Sequence, residues 1–325
     1  MKSILLKPCS YVVFIIFLLI GCKKELSPDN KAVDLQSFAA SKIKNECRLT
    51  NLSALGGAYD FRYNSAGLAE EWDITDYGLF IQEYNASGRL TVSRLYDGSD
   101  LVYTVHFVYE NNRVVREIWY NGNTTEIDDD IYYTYNNKGL IERSESFIKD
   151  FYTVNTFTPE GNTAAFTYYE GGVPVFGGSL SYEDRVKNPY LAVPGIPYAF
   201  PFANPTYFTN KWWPTSERIV FYDENGDEVV QFDYDPSQTT WDIGHQNYPL
   251  STTYFDRISG NSTLYTYEYE NCAPGNAAAH RRKTVRSITP SQIGVNPLGL
   301  IKRGTSKSIR EQVDALRKSL QSKYP

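Results

Sequence analysis

The spacing of apolar residues changes along this chain, and each change predicts an element. Tyr11 to Ile20 is one unbroken apolar run behind Lys2 and Lys7. Such a run is short for a bilayer span and has the length of a signal-peptide core. Lys23 to Glu46 is polar and reads as a tether, with a short helical turn near Leu35 to Ile43. From Cys47 to Cys272 the period becomes two: Tyr59, Phe61 and Tyr63 alternate with Asp60 and Arg62, and Leu101, Tyr103, Val105, Phe107 and Tyr109 with their neighbours. Period two predicts strands, here with a strongly aromatic face each. Near the end the period lengthens again. Ser308 and Glu311 form a capping box, and Ile309, Val313, Leu316 and Leu320 make a stripe at helical spacing, predicting an amphipathic helix over about 307–322.

Within the strand region one phrase recurs: an aromatic residue, an Asn or Asp, two loose positions, then Gly. It stands at Tyr63–Gly67, Tyr84–Gly88, Tyr135–Gly139 and Tyr222–Gly226, with degenerate copies at Glu110–Val115 and Thr158–Asn162. Asn or Asp opens a type I turn by accepting from its own backbone, and Gly at the fourth position takes the positive φ of the bulge that matches strand twist. The phrase is thus a hairpin module with a turn-chemistry reason for every residue. Its recurrence predicts an all-β fold, a long antiparallel meander of hairpin repeats forming a rolled sheet or a closed barrel, followed by the C-terminal amphipathic helix. The outward positions lack the continuous apolar band that a lipid-facing barrel requires. Repetition breaks at 187–214, where six Pro among aromatic residues rule out a regular helix or central strand; strands resume at Arg218.

The apolar run closes on "LLIGC", Leu18 to Cys22, which resembles the lipobox of bacterial lipoproteins. That resemblance implies cleavage before Cys22, acyl chains on it, and a membrane anchor; Lys23 in place of Asp fits release from the inner membrane. A plain signal peptide or a membrane anchor is the alternative. The organisation expected is a signal over 1–21, lipidated Cys22 and tether over 22–46, a β-repeat domain over 47–272, and a C-terminal extension over 273–325. Cys9 leaves with the signal, so Cys47 and Cys272 remain, bracketing the repeats in a compartment where disulfides persist. A bond between them and two free thiols both stay open, because spacing does not fix the Cα distance. The lipobox, the hairpin phrases, "YEDRVKNPY" before the insert and the closing "YTYEYENC" together resemble a group of uncharacterised Gram-negative, Bacteroidetes-type lipoproteins, related in style to the YD repeats of Rhs proteins. The resemblance covers 47–272. It implies a large porin-like or rolled β fold and carries no catalytic residues. "NPLGL", Asn296 to Leu300, echoes the end of Rhs cores only distantly.

Charge divides the chain. Between Cys47 and Cys272 there are 14 Lys and Arg against 32 Asp and Glu, a net charge of −18; from Ala273 onward there are 11 against 2, a net charge of +9. An acidic body argues against nucleic acid as partner. The basic end suits anionic lipid or the acidic body itself. His106, His245 and His280 have no assigned nucleophile, and no zinc spacing, phosphate loop or nucleophile elbow is present. No cofactor is called for. Asp128, Asp129 and Asp130 offer oxygens to Ca²⁺ without the alternating ligand pattern of a calcium loop, and otherwise form a solvated loop before a strand from Ile131. Paired carboxylates, Glu70 with Asp73 or Glu224 with Asp227, are the acids a glycan-cleaving enzyme would use. Trp212 and Trp213, with Lys211 and Tyr207, form either a platform for a sugar or peptide or a plug for one end of the β structure. The reading is an envelope lipoprotein at the outer membrane, facing periplasm or cell surface, with a non-catalytic binding or scaffolding role and a glycan or protein ligand. A glycan-cleaving enzyme and a purely structural envelope protein are the rivals.

Overall fold

The computed structural model describes residues 47–54, 57–75, 78–195, 209–223 and 225–272. The signal, Cys22, the tether and the basic C-terminal segment with its expected helix lie outside the described residues. Seventeen strands follow one another among the described residues. The first nine are β1 (Arg48–Ala54), β2 (Gly57–Tyr63), β3 (Ala69–Ile74), β4 (Gly78–Tyr84), β5 (Leu90–Asp97), β6 (Asp100–Glu110), β7 (Arg113–Asn121), β8 (Ile127–Tyr135) and β9 (Ile141–Ser146). The rest are β10 (Phe151–Phe157), β11 (Thr163–Glu170), β12 (Val173–Lys187), β13 (Trp212–Tyr222), β14 (Glu228–Asp233), β15 (Thr240–Ile243), β16 (Pro249–Phe255) and β17 (Ser262–Glu270). Two short 3-10 turns, Pro189–Ala192 and His245–Asn247, interrupt them.

All recorded pairings are antiparallel. Each strand from β2 to β13 pairs with the next, β15 pairs with β16 and β16 with β17, and β1 lies between β2 and β17. Cys47, just before β1, is bonded to Cys272, just after β17, with Cα atoms 4.0 Å apart. Among the described residues the sheet is rolled but not closed by a continuous ladder: β14 pairs with β13 and β15 with β16, and no ladder joins the two pairs. A seam remains. It is held by the bridge between Tyr234 and Asp256, by Asp235 N–H on the Phe255 carbonyl (2.9 Å) and by the Thr239 hydroxyl on the Thr215 carbonyl (2.9 Å).

The recurring phrase folds as its chemistry dictates. Asn85 Oδ1 accepts from the N–H groups of Ser87 and Arg89, both at 3.0 Å, and Gly88 N–H donates to the Asn85 carbonyl at a φ of 79°. Asn64, Asn136 and Asp223 repeat the arrangement. Asn112, with φ 65°, stands where the others have Gly. The aromatic residue that opens the phrase has a second task. The Tyr84, Tyr109 and Tyr135 hydroxyls donate to the carbonyls of Ala69, Leu90 and Val114, and Tyr182, ahead of the insert, donates likewise to Thr163; each acceptor stands two residues past the preceding turn. Asn155 does the same with its amide on Ile141 (3.0 Å). Each unit is thereby tied to the one before it, and a buried phenol finds the partner that burial demands.

A meander puts alternate turns at opposite ends of the roll. The described flanks of the insert, 187–195 and 209–214, lie at the end that carries the Asn64, Asn85, Asn111 and Asn136 turns. Asn188, Ala192 and Val193 are buried there, the Pro194 carbonyl accepts from Ala69 N–H (3.1 Å), and Asn210 Oδ1 accepts from Thr163 N–H (2.7 Å). The flanks of the insert therefore pack into the core. Strands resume earlier than Arg218: β13 begins at Trp212, and Pro214 sits beside a register shift opposite Tyr182, where a missing N–H is tolerated.

Candidate functional site

The outer face near the other end of the roll carries a row of side chains set by strand register. Arg116 lies opposite Tyr132, Tyr132 opposite Glu145, Glu145 opposite Tyr152, Tyr152 opposite Tyr169, and Tyr169 opposite Pro174. The row thus crosses β7 to β12. Tyr152 and Tyr169 stack with centroids 4.5 Å apart and planes at 14°, and the Arg143 guanidinium lies 3.7 Å from the other side of the Tyr152 ring. Arg116 lies 5.1 Å from the Tyr132 centroid. Beside them the β9–β10 turn lifts Phe147 and Ile148 into solvent, 70% and 53% exposed, and Phe147 meets Tyr132 edge-on at 5.5 Å.

The acids of this surface are already committed. Arg143 forks onto Glu145 at 3.0 and 2.8 Å, and Arg116 onto Asp130 at 2.6 and 2.5 Å. The hydrogen bond and charge of Arg143 hold the Glu145 carboxyl below the usual carboxylate range, so it stays an ionised acceptor and not an acid catalyst. Chemically, the row offers phenol edges, guanidinium groups and an apolar tip. The Tyr152 ring is covered by Tyr169 on one side and Arg143 on the other, and Arg116 lies against the Tyr132 ring. A sugar that stacks needs a free face; a protein partner takes edges, hydroxyls and an apolar anchor.

The residues singled out in the sequence fare differently. Trp213 is 4% exposed, packs against Tyr190 and Tyr267, and belongs to the core, while Trp212 is half-buried with the Lys211 ammonium 4.6 Å from its ring centre. Successive residues of a strand point to opposite faces, so the two tryptophans form no common platform; Tyr207 lies outside the described residues. The three aspartates are not in a loop. They lie within β8, where Asp128 pairs with Lys149 (2.6 Å), Asp129 is buried and accepts from Ser146, and Asp130 takes Arg116. The strand pleat sends Asp129 inward, and cations already neutralise Asp128 and Asp130, so the three do not gather around one ion. Glu70 and Asp73 are exposed on β3, and Asp227 lies in the exposed β13–β14 turn; Glu224 lies outside the described residues. His106 is exposed on β6 with its ring 5.2 Å from Tyr120, and His280 lies outside the described residues.

One interior group had no sequence signal beyond its place in β13. Glu217 points inward at the seam, its Oε1 is buried without a hydrogen bond, and its backbone carbonyl accepts from Tyr234 N–H (2.9 Å). Burial pushes its carboxyl from the ordinary 4.5 up to about 7. Burial first and the Glu217 charge after it also push up the hydroxyls of Tyr182 and Tyr234. Tyr254 and Tyr265 feel the same charge.

No family model and no curated protein matches the sequence. Among solved structures the chain is similar to a porin-like protein from Bacteroides vulgatus, with 8% identity over 69% of this chain and 99% of that one, at a TM-score of 0.35. A porin-like protein from Bacteroides uniformis gives 11% identity over 68% and 96% of the two chains, at 0.30. The Tc holotoxin pore of Photorhabdus luminescens gives 10% identity over 60% of this chain and 12% of that one, at 0.21.

Proposed function

We propose that this protein is a lipid-anchored envelope lipoprotein of the Bacteroidetes type with YD/Rhs-like hairpin repeats, whose β domain binds a protein partner without catalysis. Acyl chains on Cys22 hold it at the outer membrane, and the domain scaffolds an envelope or external protein. The observation that supports binding is the outer row of Tyr132, Tyr152 and Tyr169 braced by Arg116 and Arg143 beside the exposed Phe147. Tyr and Arg are the residues that concentrate binding energy at protein interfaces. Their mutual stacking fixes rotamers in advance, which lowers the entropic cost of association.

The test is affinity capture from the envelope fraction with wild type and with Tyr152→Ala/Tyr169→Ala. Loss of two anchors worth about 2 kcal/mol each predicts affinity for the partner weakened by about 700-fold, and its recovery lost, with an unchanged melting temperature. Undiminished recovery, or turnover of a glycan substrate, overturns the reading. Protease treatment of intact and lysed cells then assigns the face: cleavage on intact cells means the cell surface, protection until lysis means the periplasm.

A further inference from the structure

We infer that the acidic, apolar-tipped end of the roll docks the chain's own basic C-terminal segment, the stripe of Ile309, Val313, Leu316 and Leu320. This rests on the reading of the neighbouring tyrosine row as a protein-binding surface and names the occupant of the turn tips beside that row. Four turns fall side by side there: β5–β6, β7–β8, β9–β10 and β11–β12. Their tips expose Ile127, Phe147, Ile148 and Val173, at 41%, 70%, 53% and 42%. The turns across the opposite end present Asn, Ser, Lys and Gly instead. Apolar tips on neighbouring turns are where a soluble β protein accepts a partner.

Charge selects the occupant. The same four turns carry Asp97, Asp100, Glu126 and Asp150, and their one cation, Lys149, is taken by Asp128. A surface of this kind repels an anionic bilayer and attracts a basic amphipathic segment. Residues 273–325 supply one, with a net charge of +9 and an apolar stripe flanked by Lys307, Arg310, Arg317 and Lys318. The reach is sufficient. Cys272 lies at the end opposite these turns, and a chain of about 35 residues, at roughly 5–6 Å × √n, covers on the order of 30 Å, close to the length of a nine-residue strand.

A photoreactive phenylalanine analogue at position 147 of the full chain tests this. The expected product is an intrachain cross-link to residues 303–325, reduced at least fivefold in 1 M salt and by Arg317→Glu/Lys318→Glu. A cross-link to another protein, or no dependence on those charges, sinks docking in cis while leaving the protein-binding reading intact. Absence of any protein cross-link, or a cross-link to lipid alone, sinks both. Phe147 is exposed, so the substitution leaves the core untouched.

Discussion

At the scale of single residues, Glu217 is the least comfortable group in the described structure. An ionised carboxylate with a buried, unpartnered oxygen is costly, and proteins relieve that cost by holding the proton. Its carboxyl is pushed up to about 7 in the fold against an ordinary 4.5. Between those values the unfolded chain is ionised and the folded one still protonated, so the folded state binds more protons and stability falls as pH rises. Below 4.5 both states are protonated and above 7 both are ionised, so the dependence is confined to that window. Glu217→Gln keeps the shape and removes the titration. Thermal melts from pH 4 to pH 8 are therefore expected to show the two proteins alike near pH 4. The variant should gain over wild type by up to about 3 kcal/mol at pH 8. Parallel pH profiles would show that the carboxylate finds a compensating partner when ionised.

At the scale of elements, the hairpin phrase was legible because turn chemistry is local: Asn85, Gly88 and their equivalents act within five residues. The use made of the opening tyrosine was not legible, since Tyr109 donates to Leu90 across two strands and only register brings them together. The same reason hid the outer row. Tyr132, Tyr152 and Tyr169 are ordinary outward positions of three separate strands until pairing aligns them. The Trp212–Trp213 pair misled for the opposite reason, because adjacency in sequence means opposite faces once the segment is a strand. Local turn energetics can be isolated at Gly88, where an added Cβ would meet Leu68 Cδ1 at 3.6 Å and nothing closer. Space is therefore available and only the φ of 79° is costly. Gly88→Ala should lower stability by about 1 kcal/mol, and Gly88→Asn by less, since Asn tolerates the left-handed region. Denaturant midpoints would show it. Equal losses would mean that the bulge, not the dihedral, sets the energy.

At the scale of the whole molecule, the antiparallel meander followed from repetition alone, while how the roll is completed did not. The choice between a closed barrel and an open roll turned on the short strands β14 and β15, whose connection carries no repeat phrase and whose pairing leaves the seam. Completion on the other side depends on β1, which joins β2 to β17, and on the bond between Cys47 and Cys272 beside it. The cross-link and the ladder act on different states. The ladder stabilises the folded roll, whereas a bond across a sequence separation of 225 restricts mainly the unfolded chain. Its removal should therefore cost stability even with the β1–β17 ladder intact, by as much as ~5 kcal/mol in the chain-entropy model. The double variant Cys47→Ser/Cys272→Ser is expected to fold with unchanged far-ultraviolet dichroism and to unfold at a markedly lower denaturant concentration. Wild type under reducing conditions should move to the same midpoint, and alkylation of its oxidised form should find neither thiol. A variant that unfolds with wild type would mean that the ladder alone determines how the two ends of the repeat region are held.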